Sequence, residues 1–313
     1  MTTDMTYSIA AFYRFVPISN VAEFHAKIKE RGQSLEIVGV FLIAEEGINA
    51  TIAGQKENLT CFLEEIQQDT RFEDLEIKYA TTKIQPFTKW RVRKKKEIVS
   101  MGVESVQPTK CVGTYVLPKD WNQLIEQDDV IVVDVRNDYE YLLGTFEGAL
   151  NPKTDTFREF PEFVQKNLLQ HKNKKIAMFC TGGIRCEKAT SFLVQEGFDQ
   201  SQVFHLQGGI LKYMEDVPSE MSIYEGECFL FDRRRSVVHG EQVGEVQDGV
   251  ASICYACSYP LLPEDLQSQY YESGVSCHRC YQSFSDEQKN RFRERQAQYD
   301  RYKESHFFSL PLK

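Results

Sequence analysis

Cys180 stands where a short apolar run, IAMF at 176–179, gives way to two glycines and an arginine in TGGIR at 181–185. An apolar run of this kind suits a buried strand. Beyond it Ala189, Phe192 and Leu193, with Cys186 on the same pattern, recur at helical spacing until Gly197 stops the helix. Cys180 therefore lies at the mouth of a strand-loop-helix unit whose loop is Thr181, Gly182, Gly183 and Ile184. Glycines let backbone N–H groups curl inward there, and the helix start adds the positive end of a dipole. Arg185 adds a full positive charge. Together these favour the thiolate of Cys180, the nucleophilic form of the side chain. A buried structural cysteine is the alternative, and the electropositive setting argues against it. Cys186 has two readings. It is a resolving thiol that closes a disulfide on an oxidised Cys180, or a small residue packed in the first helical turn.

A second constellation lies near the end of the chain. Cys254-x-x-Cys257 and Cys277-x-x-Cys280 are separated by nineteen residues, a spacing that reads as a four-cysteine zinc site. A redox dithiol and four free thiols are the alternatives, and His278 reads as a bystander. After them, Ser285 with Gln288 forms a capping box for a polar helix running to Lys303 that carries Arg291, Arg293, Arg295 and Arg301.

The elements that must position these groups fall into a series. Strands over 8–16, 38–44, 47–52 and 75–80, with helices over 21–31 and 59–66, give the order βαββαβ of a ferredoxin-like or acylphosphatase-like sandwich. The cluster EEGINA at 45–50 is turn chemistry or a turn that faces a ligand. A bridge over 85–127 follows, in which Lys89, Arg91, Arg93, Lys94, Lys95 and Lys96 crowd six charges into eight residues beside Phe87 and Trp90. Such a segment either pairs with RNA phosphates while its rings stack on bases, or is a solvated linker. Arg233, Arg234 and Arg235 pose the same choice more weakly. From 128 to 221 strands and helices alternate, as in an α/β domain with its site at the strand ends. The expected domains are thus 1–84, a basic linker 85–127, 128–221 and a cysteine-rich module 222–313 with a C-terminal helix.

Motifs in the third of these segments carry a resemblance. IVVDVR at 131–136, Glu140, Gly144, EGA at 147–149, Asn151 and CTGGIR at 180–185 resemble a rhodanese domain over about a third of the chain. Four residues separate Cys180 from Arg185, whereas protein phosphatases place five between nucleophile and arginine. The tighter loop suits a sulfur atom. Within the rhodanese superfamily, GTFEGALNPKTDTFREFP at 144–161 and CTGGIRCEKAT at 180–190 are similar to one branch, the bacterial tRNA uridine hydroxylases. Thr145, where many rhodaneses carry histidine, fits that branch. The resemblance extends to the first domain and implies that it presents substrate. It further implies hydroxylation at C5 of the wobble uridine, position 34, with molecular oxygen as co-substrate, the tRNA anticodon loop as partner and Cys180 and Arg185 as catalytic residues. It implies bracing roles for Asp134 and Arg136. A persulfide-carrying sulfurtransferase is the alternative enzyme, and an inactive RNA or protein adaptor the non-enzymatic one.

Composition limits the choices further. With 313 residues, 42% hydrophobic and 27% charged, the chain holds two or three globular domains. It shows no run of membrane-spanning length and no signal-peptide pattern at its start, so the expectation is a cytoplasmic protein without membrane contact. Nine cysteines, four of them in paired motifs, suit a reducing compartment. The net charge of −9 repels nucleic acid at long range, so any RNA site must be local. No flavin, nicotinamide or iron motif is visible.

Overall fold

The computed structural model describes residues 6–83, 85–240, 252–257, 259–261 and 264–307. It divides into two compact units, Met1–Val246 and Gln247–Lys313.

The first unit begins with β1 (Tyr7–Phe15), α1 (Val21–Ser34), β2 (Val38–Ala44), β3 (Gly47–Gly54), α2 (Lys56–Gln67) and β4 (Ile77–Thr82), the expected βαββαβ order. Alternation along β1 sends Ala10 and Phe12 into a core with Phe24 and Ile28 of α1 and Leu59, Phe62, Leu63 and Ile66 of α2. Ile9, Ala11 and Tyr13 take the opposite face, which a separate sandwich would leave to solvent. A fifth strand, β5 (Trp90–Lys94), adds parallel to β2 and gives the sheet order β4-β1-β3-β2-β5.

That strand corrects the expectation of a linker over 85–127. Trp90 packs edge-on to Phe41 and Phe62, and its indole N–H donates to Lys29 O at 3.0 Å. Burial of this ring draws the strand into the first domain, so Trp90 is not a stacking platform for bases. The bridge's far end, β6 (Thr114–Val116) and α3 (Pro118–Ile125), belongs to the second sheet.

That sheet is parallel, in the order β6-β10-β9-β7, with β7 (Val130–Asp134), β9 (Lys175–Phe179) and β10 (Val203–Leu206). Period-two alternation serves two cores. Ile176 and Met178 face α5 (Phe160–Asn167) and α6 (Ile184–Gln195), while Ala177 and Phe179 face α3 and α7 (Gly209–Asp216). Between β7 and α5 come α4 (Asp138–Leu143) and β8 (Gly144–Phe146), and β8 pairs with β11 (Tyr224–Phe229), itself paired with β12 (Ser236–Val238). The α/β domain thus takes in strands on both sides of the expected 128–221, because β10 and β8 each need a partner for their free edges.

In the second unit β13 (Ser252–Ile253) pairs with β14 (Pro260–Leu261), and α8 (Asp286–Phe307) follows the cysteine pairs. The Ser285 and Gln288 side chains exchange hydrogen bonds with each other's backbone N–H at α8's start, at 3.3 and 2.9 Å. No helix among the described residues is long and apolar enough to cross a membrane.

Candidate active site

Cys180 ends β9, and the loop Thr181–Gly182–Gly183 turns directly into α6. The loop is held from beneath by the start of α7, where Ile210 N–H donates to Cys180 O at 2.9 Å and Leu211 N–H to Thr181 O at 3.1 Å. Gly209 (φ +69°) permits this approach, since a Cβ there would meet the Cys180 carbonyl oxygen at 2.5 Å. Gly183, at φ +102°, turns its N–H toward Cys180 Sγ at 3.1 Å.

The sulfur is fully buried, and burial by itself raises a thiol pKa. Several groups reverse the effect: a hydrogen bond from the Cys186 thiol, the Arg185 guanidinium, and the backbone N–H groups of Cys186 and Gly183 lower the Cys180 pKa to about 6. Cys186, also buried, is pushed the other way, by desolvation and by its bond to Cys180. One thiolate and one thiol therefore sit in contact, the thiol donating. Cys228 is also buried and its thiol is pushed up to about 12, first by desolvation.

Arg185 reaches the sulfur through space. Its guanidinium is clasped by Glu140, Nη1 to Oε2 at 2.7 Å and Nη2 to Oε1 at 2.8 Å, both side chains almost wholly out of water. Despite the cost of burying it, Glu140 keeps a lowered pKa because Arg185 lies against it. Thr181 Oγ1 donates to the same carboxylate at 3.1 Å. Ile184 opens α6. Asp134 and Arg136 form a second, fully buried pair at 2.6 Å, and Thr145 Oγ1 donates to Asp134 at 3.1 Å. Those groups fasten β7 to β8.

The first domain packs its open sheet face onto this loop. Tyr13 Oη donates to Glu187 at 2.7 Å, Lys78 Nζ donates to Gly182 O at 3.0 Å, and Tyr115 from β6 also hydrogen-bonds Glu187. Burial raises the Glu187 pKa against those bonds. Deeper in, the three ammonium donors of Lys188 are spent on Glu46 (2.9 Å), Glu97 (2.6 Å) and Val99 O (3.0 Å). Glu46 of the EEGINA cluster is thus an ion-pair partner across the domain junction. A cleft of about 180 Å³ beside Lys78 is lined by Leu211, Met214, Leu230, Arg234 and Val238. Arg234 is paired with Asp232 at 2.5 Å.

Sequence reasoning missed Tyr13, Lys78, Glu187 and Lys188, and assigned Glu140 no role. The two α6 residues carry a visible signal, a Glu-Lys pair on a helix whose other residues, Arg185 and Gln195 apart, are apolar or small. Nothing in the sequence joins Tyr13 or Lys78 to a loop more than a hundred positions away.

Of the basic segment, Arg91, Arg93 and Lys94 lie in β5 and Lys95 and Lys96 follow it, all exposed, with Lys89 just before the strand. They form one stretch along the sheet's edge.

In the second unit Cys254, Cys257, Cys277 and Cys280 bring their sulfurs within 4.8 Å of one another. Three of the separations, Cys254–Cys280, Cys257–Cys277 and Cys277–Cys280, are 3.7 Å. A tetrahedron with metal–sulfur bonds of about 2.3 Å has edges of about 3.8 Å, so the four thiols could hold a metal ion. His278 stands outside the cluster, with Nδ1 on Asp265 at 3.0 Å.

A cysteine cradled by loop amides at a helix start, at the carboxyl end of a parallel sheet and with four residues between it and its arginine, is the arrangement of a rhodanese-type domain, here joined to an acylphosphatase-like one. The family models agree: residues 7–98 match the UPF0176 acylphosphatase like domain and 117–216 the rhodanese-like domain. The chain is 48% identical over 297 residues to the tRNA uridine(34) hydroxylase of Acinetobacter baylyi, covering 95% of this chain and 91% of that protein. It is also 48% identical over 292 residues to that of Rhizobium etli, covering 93% and 92%. A rhodanese-related protein of Thermoplasma volcanium, known by crystal structure, is 27% identical over 33% of this chain and 93% of its own, with a TM-score of 0.28. The chain belongs to the tRNA uridine(34) hydroxylase family.

Proposed function

We propose that the protein is an oxygen-dependent oxidoreductase that converts uridine 34 of tRNA to 5-hydroxyuridine, with the Cys180 thiolate as its reactive centre. The observation that carries this reading is the cradle around Cys180, which keeps a buried sulfur largely ionised at neutral pH, in a family of tRNA uridine hydroxylases. A wobble base in a single-stranded loop is splayed out at little cost, which suits a reactive group at the bottom of a loop. Addition of the thiolate at C6 of uracil makes C5 electron-rich and open to oxygen. The Cys186 thiol takes the outer oxygen of the resulting C5 hydroperoxide as a sulfenic acid, and loss of the C5 proton expels Cys180 from C6. The freed thiolate displaces that oxygen as water to close the disulfide. One oxygen atom enters C5 and the other leaves as water, which consumes two electrons and two protons. Two thiols passing to one disulfide supply that number. Cys186, already hydrogen-bonded to Cys180, is the partner in that pair, and a small external thiol restores both between turnovers.

Arg185 holds its charge near the sulfur without competing for it, because Glu140 fixes its position. The basic stretch Lys89, Arg91, Arg93, Lys94, Lys95 and Lys96 contacts tRNA phosphates near the anticodon loop, the local charge that a net −9 molecule requires. The ion held by Cys254, Cys257, Cys277 and Cys280 is zinc, in a structural role, and the site of action is the cytoplasm.

Nucleoside mass spectrometry of tRNA tests the reading. In a strain lacking the gene, 5-hydroxyuridine and its derivatives disappear, and they return with the wild-type protein and not with Cys180→Ala. Unchanged modification in the deletion strain, with no redundant pathway, sinks it. Rapid Cys180-dependent thiocyanate formation from thiosulfate and cyanide would instead point to sulfur transfer.

A further inference from the structure

The Gly182–Gly183 peptide is gripped at both ends. Its carbonyl oxygen accepts from Lys78 Nζ at 3.0 Å, and its N–H donates to Cys180 Sγ at 3.1 Å. A trans peptide is planar, with C=O and N–H pointing opposite ways, so fixing one end fixes the other. Between two glycines nothing local resists a flip of that plane, because glycine tolerates either sign of φ. At Gly182 a side chain would meet nothing within 4 Å, so packing does not restrain it on that side. The lysine comes from β4, in the other domain, more than a hundred residues away in sequence.

We propose that Lys78 is a positioning residue for the Cys180 thiolate: the acylphosphatase-like domain uses it to hold the Gly182–Gly183 peptide with its N–H aimed at the sulfur. The first domain is thereby part of the reactive centre as well as a surface that presents substrate. A cation on the carbonyl also polarises the peptide, which strengthens the N–H as a donor.

Lys78 is itself well placed to be rigid. Its side chain is 13% exposed and its ammonium lies over the Tyr13 ring, 5.8 Å from the centroid. Glu76 stands 4.0 Å from Nζ, and Glu187 on α6 and Glu215 on α7 face it from the second domain, together with Cys180. Desolvation lowers the ammonium's pKa, and Glu76 and the Cys180 thiolate oppose that effect. By linkage, whatever the thiolate does for the ammonium the ammonium does equally for the thiolate. Tyr13 completes the brace. Its hydroxyl is bonded to Glu187 and fills the space in which a Cβ on Gly183 would stand, 2.7 Å away.

This inference rests on Cys180 being the reactive thiol, and its test does not require catalysis. The ultraviolet absorbance of the thiolate is titrated in the full-length protein, and the titration of the matching Cys180→Ser protein is subtracted to remove the other cysteines. The midpoint expected with Lys78 in place is about 6. Lys78→Met raises it by about one pH unit, a tenfold loss of thiolate below the midpoint. Lys78→Arg, which keeps a cationic donor, restores most of the shift. Lys78→Gln, uncharged and polar, serves for the same comparison if the methionine protein does not fold, and also titrates higher than wild type. A midpoint unmoved in both neutral variants overturns the proposal, as does an arginine variant no better than methionine. If the midpoints move as expected while Cys180→Ala still restores 5-hydroxyuridine in cells, Lys78 positions the thiolate and the functional reading falls.

Discussion

At Cys180 the balance is set by distance. The nearest donors are the Cys186 thiol and the loop amides, while the Arg185 charge is already satisfied by Glu140. The pH dependence follows from the sign of the shift. The active form is the deprotonated one, so hydroxylation is expected to fall as pH drops through about 6 and to be flat above it until another group titrates. Cys186→Ala removes one donor and moves this limb, read with external thiol present, to higher pH, and without external thiol it blocks even a single turnover because the electron pair is incomplete. Single-turnover assays across pH, with mass spectrometry for a Cys180–Cys186 disulfide, check both outcomes.

Glu140 has a different role at the same scale. Removing it in Glu140→Ala leaves the Arg185 guanidinium buried without its carboxylate, with only Thr181 Oγ1 and the Cys180 sulfur near it, which costs about 3 kcal/mol of stability. Because the folded pKa of Glu140 is lowered, its contribution is present above the ordinary carboxylate range and is lost as pH falls through the folded value. Urea denaturation of the two proteins at neutral and at acidic pH should show the difference shrink on acidification.

Among the elements, β5 joins the first domain's core to the basic stretch proposed above to contact tRNA. Its inward residue Trp90 anchors it to the core, while Arg91 and Arg93 stay exposed beside Lys94, Lys95 and Lys96. An edge strand with cations along it is protected from pairing with another sheet, and its exposed charges are of the sign that phosphates attract. Double charge reversal, Lys94→Glu with Lys96→Glu, is expected to weaken tRNA binding at low salt and to reduce the salt slope by about one per lost phosphate contact. Cys180 titration should be unaffected. Binding isotherms at several salt concentrations give the slope, and an unchanged slope would remove this stretch from the RNA interface.

Considering the whole molecule, the first unit is one covalent and electrostatic body. The Lys188 ammonium joins Glu46 and Glu97 of the first domain's side to α6, next to the loop that carries Cys180. Among the described residues of the second unit, the core is a small one around the four cysteines, with Leu261 and Phe284. A module with so small a core gains much of its folding free energy from a metal ion wherever four thiolates hold one. If the cluster carries the zinc proposed above, a strong chelator is expected to release protection in hydrogen exchange around the four cysteines while the sheets of the first unit stay protected. Loss of protection in both units would contradict this division.

Much of the molecule is legible from sequence alone. Periodicity of apolar residues fixes the two α/β domains, since burial of one face is a local pattern repeated at 2 or 3.6 residues. The loop from Cys180 to Arg185 is contiguous, so its glycines and charge could be read directly, and the paired cysteines carry their spacing with them. Three features were decided by tertiary structure. Trp90 turned a presumed linker into a strand because its ring fits beside Phe41 and Phe62, a matter of packing that residue order does not encode. Arg185 and Cys186 received partners, Glu140 and Cys180, whose effect depends on desolvation and on hydrogen bonds of about 3 Å. Lys78, Tyr13 and Lys188 acquired their roles only when one domain closed on the other, because a buried charge has meaning only beside the group that compensates it.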